Sequence, residues 1–251
     1  MDSLAVVLLA LFAGGYLVLA GADIGVGMLL PWLGRDQRER RLVIASFAPF
    51  FLGNEVWLVA AAGLVAGAFP GLEHRLLEEL YPLFAVLLIG WVVRDMGLWL
   101  RGRVDAAAWR SVWDGAIVAG SWALALAWGS VLGSLLGWGP FGGGMNAGSV
   151  LGVPLAALFA WHGAGFARWR LPAGLARRAS RFPARYGLSA LVMACAPVVA
   201  GVEVPWSEVV AGGGGLSLTV VGTVAVLPFL LASQALVWWT FRGRVQGPSY
   251  L

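Results

Sequence analysis

The sequence has no lysine, one cysteine and only two histidines, His74 and His162. A single cysteine excludes an intrachain disulfide and a thiolate metal site supplied by this chain alone. Cys195 lies inside an apolar run, where a small core residue is the simplest reading. Charge is also scarce: 12% of the 251 residues are charged and 60% are hydrophobic. So few charged side chains cannot cover a water-facing surface for such a chain, which makes the lipid bilayer its solvent. The net charge of +4 does not imply nucleic acid, because the arginines fall between apolar runs rather than on one face with stacking aromatics. P-loop, dinucleotide, zinc and nucleophile-and-base motifs are all missing, which argues against catalysis by this chain alone.

A mean hydropathy of +0.82 and long apolar stretches are what remain. About 20 mostly apolar residues cross the hydrocarbon core as a helix. Seven stretches meet that measure: 4–33, 42–69, 78–100, 111–137, 146–167, 186–206 and 216–241. They predict an all-α, polytopic transmembrane helix bundle that forms a single integral membrane domain over residues 1–251. Met1-Asp2-Ser3 lacks the positive segment of a cleavable signal, so the first stretch reads as the first span. Fifteen of the seventeen arginines lie on alternate connections: Arg35–Arg41, Arg101–Arg110, Arg168–Arg185, and Arg242 with Arg244. Positive charge collects on the cytoplasmic side. The N-terminus is therefore predicted outside and the C-terminus in the cytoplasm, with Glu73, Glu78, Glu79, Glu203, Glu208 and the turns at Gly142–Gly144 and Gly212–Gly215 on the outer face. The segment 168–185 reads as a basic interfacial stretch near lipid headgroups.

Ionisable residues at membrane depth are costly and therefore mark candidate sites. Asp23 lies twelve residues before Arg35, and Glu55 fourteen residues after Arg41 on the next helix of the same hairpin. At 1.5 Å per residue they sit roughly 18 and 21 Å from the basic end. Two carboxyls at nearly one depth suit a proton relay, since in low dielectric they favour sharing a proton. Arg94, Asp95 and Asp114 are placed nearer the cytoplasmic end, where an Arg94–carboxylate pair that locks helices together is the structural alternative. Gly21, Gly25, Gly27 and Gly53 flank the two acids and predict close helix approach, with a hydrated pocket as the functional alternative. His162 lies about 9 Å inside the last basic loop by the same rise and is a weak candidate for haem, having no second ligand at its depth. Of the fourteen tryptophans, Trp32, Trp138, Trp169, Trp206, Trp238 and Trp239 fall near span ends as an aromatic belt. Trp57, Trp91, Trp113, Trp122 and Trp128 lie deeper, where they either pack or line an apolar ligand path.

The run Gly21-Ala22-Asp23-Ile24-Gly25-Val26-Gly27-Met28, then Glu39-Arg40-Arg41, Gly53-Asn54-Glu55-Val56-Trp57-Leu58 and Ala68-Phe69-Pro70, resembles subunit II of cytochrome bd-type quinol oxidases in order and spacing. Tyr81-Pro82-Leu83, Arg94, the segment from Trp109-Arg110 to Trp113-Asp114, and Pro140-Phe141-Gly142 extend the resemblance. It implies a subunit of a terminal respiratory oxidase in the plasma or inner membrane, in which quinol is oxidised and dioxygen reduced to water. Subunit I would carry the haems, haem b with haem d or haem b alone, and the quinol site. Small accessory membrane subunits can join the pair. This chain would bind no cofactor itself and would supply a proton path, for which Asp23, Asn54, Glu55, Arg94 and Asp114 are the candidates, or an oxygen route. The chain departs from the family where many members have an aspartate and an aromatic residue before Gly53-Asn54-Glu55: here Phe51 and Leu52 stand, and Ala20 replaces a further acid. It also resembles a short member lacking a helix pair between the sixth and last spans.

Two other classes fit the residues. A stand-alone proton-coupled transporter or channel could use Asp23 and Glu55, although no internal repeat supports it. A structural or assembly protein derived from the oxidase family would tolerate neutral replacements of both acids.

Overall fold

The computed structural model describes residues 1–136 and 150–247. The expected turn at Gly142–Gly144, the belt residue Trp138, Pro140-Phe141-Gly142 and the start of the fifth expected span lie outside the described residues. The rest is all-helical: α1 (Asp2–Met28), α2 (Leu30–Leu33), α3 (Gln37–Phe47), α4 (Phe51–Ala68), α5 (Pro70–Glu79), α6 (Tyr81–Leu100), α7 (Ala107–Leu136), α8 (Gly152–Arg170), α9 (Ala173–Ala179), α10 (Tyr186–Ala200), α11 (Trp206–Val209) and α12 (Gly214–Thr240). Five of these, α1, α4, α6, α7 and α12, are long and apolar enough to cross a membrane. They correspond to the first, second, third, fourth and seventh expected spans. The chain is a multi-pass membrane protein.

Prolines account for two of the differences from the expected spans. Pro31 stands just after the break at Leu29, so the first stretch divides into α1 and α2. Pro49 likewise divides 42–69 into α3 and α4, because a proline has no N–H to continue the backbone ladder. The fifth stretch becomes α8, which carries Arg168 and Arg170 in its last turn. The sixth ends early, at Ala200, and α10 has only 15 residues. The basic stretch 168–185 folds partly as the short helix α9.

The bundle is organised around α1, which packs against α4, α7, α8 and α10, while α6 lies along α7 and α12 along α4. At the α1–α8 crossing the two backbones touch. A Cβ placed on Gly25 would lie 2.0 Å from the main-chain oxygen of Phe159, and one on Gly163 would lie 2.3 Å from the carbonyl carbon of Gly25. Only glycine permits this approach. The α6–α7 crossing works similarly, with Gly120 against the Gly90 carbonyl oxygen. Large apolar side chains such as Leu218, Val226 and Phe229 on α12 stand exposed, as expected of a surface facing hydrocarbon.

At the basic end, α3 is capped reciprocally: the Asp36 carboxylate accepts from Glu39 N–H, and the Glu39 carboxylate accepts from Arg35 N–H. Arg178 of α9 donates to both Glu39 oxygens, at 2.6 and 2.7 Å, and to the Leu33 carbonyl. These bonds hold the Glu39 carboxyl well below its usual range, at about 2. Glu39 therefore binds its proton more weakly folded than unfolded. The clamp is fully stabilising above the ordinary carboxyl value of 4.5 and is lost as pH falls toward about 2. Acidification through that window is expected to lower the unfolding temperature of the parent more than that of Glu39→Gln. The difference should be about 1 kcal/mol, the scale of a partly exposed ion pair.

Candidate functional site: a buried charge network

Asp23, Asn54 and Arg94 come from α1, α4 and α6 and are almost fully buried. Arg94 Nη2 donates to Asp23 Oδ1 at 2.5 Å, and Asn54 Nδ2 donates to Asp23 Oδ2 at 2.9 Å and to the Leu19 carbonyl at 3.0 Å. The other face of the guanidinium meets two further carboxylates, with Nη1 3.1 Å from Asp95 Oδ1 and 3.6 Å from Glu55 Oε1. Trp91 Nε1 donates to Glu55 Oε1 at 2.7 Å. Phe51 lies under the guanidinium, 5.8 Å from ring centroid to Cζ. On the opposite side Gln234 of α12 donates to Asn54 Oδ1 at 3.0 Å and accepts from Trp57 Nε1 at 3.2 Å. One connected network therefore ties α1, α4, α6 and α12 together at membrane depth.

Electrostatics give its members different roles. Three carboxyls face one guanidinium, so full ionisation would leave two formal negative charges uncompensated in a low-dielectric interior. Asp23 has the shortest contact with Arg94 and two directed donors, as befits a fixed counterion. Glu55 and Asp95 are held more loosely, and their side chains are 13% and 21% exposed. They emerge on the α4–α6 surface among Leu52, Val56, Val59, Leu88 and Val92, all exposed.

The sequence placed Asp23 and Glu55 at one depth, and the structure brings both to Arg94, which stands between them. Asp114 joins a different cluster. Arg101 Nε donates to its Oδ1 at 2.5 Å, Arg40 Nη1 donates to its Oδ2 at 3.0 Å, and Arg101 Nη2 also donates to Gln37 at 2.6 Å. That cluster ties α3, α6 and α7 together at the basic end. Gln234 was missed by sequence reasoning. Its signal was an amide inside an otherwise apolar stretch of the last span.

His162 is fully buried and its two ring nitrogens are both engaged, Nε2 with the Val18 carbonyl at 2.9 Å and Nδ1 with Ser189 Oγ at 2.7 Å. A carbonyl only accepts, so Nε2 carries the proton and Nδ1 accepts from the serine hydroxyl. The ring also stacks on Tyr186 at 4.4 Å. A histidine held this way does not fit axial ligation of a haem, which needs a free ring nitrogen.

Fold and site together define a class: a polytopic helical membrane protein organised around a buried charge network. The chain belongs to the cytochrome bd terminal oxidase subunit II family, whose model matches residues 1–216. It is similar to the probable cytochrome oxidase subunit 2 of Haemophilus influenzae and to the cytochrome bd-I ubiquinol oxidase subunit 2 of Escherichia coli K12. Identity to each is 37% over 127 residues, 51% of this chain and 34% of the relative. The cytochrome bd ubiquinol oxidase subunit 2 of Bacillus subtilis is 37% identical over 115 residues, 46% of this chain. The chain thus spans only 34% of the length of these relatives. The resemblance carried by the Asp23 and Gly53-Asn54-Glu55 motifs is borne out.

Proposed function

We propose that this chain is the non-haem subunit II of a quinol:oxygen oxidoreductase in the plasma or inner membrane, supporting a haem-bearing subunit I and conducting protons toward it. The complex oxidises quinol and reduces dioxygen to water, with haem b and haem d, or haem b alone, held by subunit I. Family membership supports the assembly. The proton role rests on one geometric observation: Glu55 and Asp95, gathered at one nitrogen of Arg94, reach the α4–α6 surface. Carboxyls at that depth are unfavourable against lipid, so a partner subunit with polar groups covers this face. In this reading seven spans cross the bilayer, the arginine-rich connections lie in the cytoplasm, and Asp23 with Asn54 holds Arg94 in place. Glu55 and Asp95 exchange the proton.

Purification of the tagged chain from its native membrane in mild detergent, with a reduced-minus-oxidised visible spectrum, tests the assembly. Haem bands travelling with a larger membrane subunit are expected. A colourless, partner-free chain under conditions that preserve such complexes would overturn it. In the same preparation His162→Gln is expected to leave the haem bands unchanged in position and intensity, because both ring nitrogens already serve this chain's own packing.

A further inference from the structure

At the basic end a second feature stands apart from the Arg94 network. A pocket of about 470 Å³ opens where the α3–α4 turn, the end of α8 and the segment after α12 meet, lined by Ala45, Pro49, Arg170, Phe241, Arg244 and the backbone through Gly247. Its size lies within the roughly 300–1,000 Å³ of small-ligand sites. The sequence dictates its electrostatics. No Asp or Glu occurs between Asp114 and Glu203, or after Glu208. The α8 end and the C-terminal segment therefore bring arginines and no acids.

Arg170 shows the consequence. It is 3% exposed, yet no ion pair involves it among the described residues. Its Nε donates to the Ser46 carbonyl at 3.4 Å and its Nη1 to the Phe241 carbonyl. Its guanidinium lies 5.2 Å from the Phe50 ring and 5.8 Å from that of Trp169. Carbonyls and ring faces orient a cation but do not neutralise it, and an uncompensated buried charge is costly. Arg244 lines the same pocket, anchored by Nη1 to the Leu171 carbonyl at 2.6 Å, and Val245 N–H donates to the Arg170 carbonyl at 2.9 Å, tying the segment to the end of α8. Two arginines held by backbone contacts line one pocket, and guanidinium groups are the side chains best suited to bind phosphate. Trp169, over which the Arg170 guanidinium lies, stacks on Trp238, and tryptophans of this kind favour the bilayer interface.

We infer that this pocket binds a phosphate group, supplied by the headgroup of an anionic phospholipid whose chains run along the adjoining apolar surface. The site is independent of the oxidase assignment. The full chain, with the subunits that accompany it, is reconstituted in nanodiscs of phosphatidylcholine with or without phosphatidylglycerol, and lipid retained on the protein is counted by native mass spectrometry. Preferential retention of phosphatidylglycerol is expected, falling about tenfold in Arg244→Gln, the scale of one lost charge-assisted contact. Arg170→Gln is expected to abolish it, and Arg244, being exposed, keeps the test valid if the Arg170 variant fails to fold. In phosphatidylcholine nanodiscs, inorganic phosphate or glycerol 3-phosphate is added as the soluble arm. Arginine-dependent thermal stabilisation by these would support the phosphate site but assign it to a soluble ester. Retention of phosphatidylglycerol unchanged by Arg244→Gln, with no response to soluble phosphate, would overturn the site.

Discussion

Arg94→Leu is expected to destabilise the fold by about 3–5 kcal/mol, the cost of removing one partner from a buried charge network. Arg94 is the only cation facing Asp23, Glu55 and Asp95 among the described contacts, and its loss leaves three carboxyls at membrane depth with amide and indole donors alone. The measurement is the midpoint of thermal unfolding in detergent, followed by helical signal. Arg94→Leu combined with Asp23→Leu should recover part of the loss, because removing both members of a buried pair is far less harmful than stranding one. A single variant as stable as the parent would show that Arg94 does not hold the three acids together.

Gly25→Val has the second largest expected effect, about 3 kcal/mol or more, as overpacking at a backbone contact. The added carbons have nowhere to go. The first would overlap the Phe159 carbonyl oxygen and sit 2.8 Å from Gly163 N, and neither is a flexible side-chain end that can swing away. α1 and α8 would have to separate, disturbing the helix that carries Asp23. Gly115→Ala is the matched control on α7: nothing lies within 4 Å of its added Cβ, so it should be neutral or slightly stabilising. Unfolding midpoints of the two variants check the contrast.

Both predictions show what was legible in the sequence. Hydropathy marked the long helices because lipid-facing stretches must be apolar throughout, and Asp23, Glu55 and Arg94 stood out because charge is rare there. The breaks at Leu29 and before Phe51 were not legible, since a proline in an apolar run leaves hydropathy unchanged while removing a backbone donor. Nor was the choice of partners. Arg94 on α6 and Arg101, the residue that caps its C-terminal end, lie seven residues apart and so on one side of the helix, and spacing alone allowed either to reach Asp114. Packing of α7 along α6 gives it to Arg101. Gln234 joins Asn54 from 180 positions away, a pairing that local pattern does not encode.

Proton conduction through the α4–α6 carboxyls is tested most directly by Glu55→Gln in the purified complex, with quinol oxidation and proton uptake recorded together. The amide keeps the shape of the side chain and its contact with Trp91 while removing the exchangeable proton. A fall in turnover of about tenfold or more, the scale of a lost proton-transfer group, is expected with the haem spectrum and subunit composition unchanged. Unchanged turnover and proton uptake in an intact complex would contradict a proton route through this network.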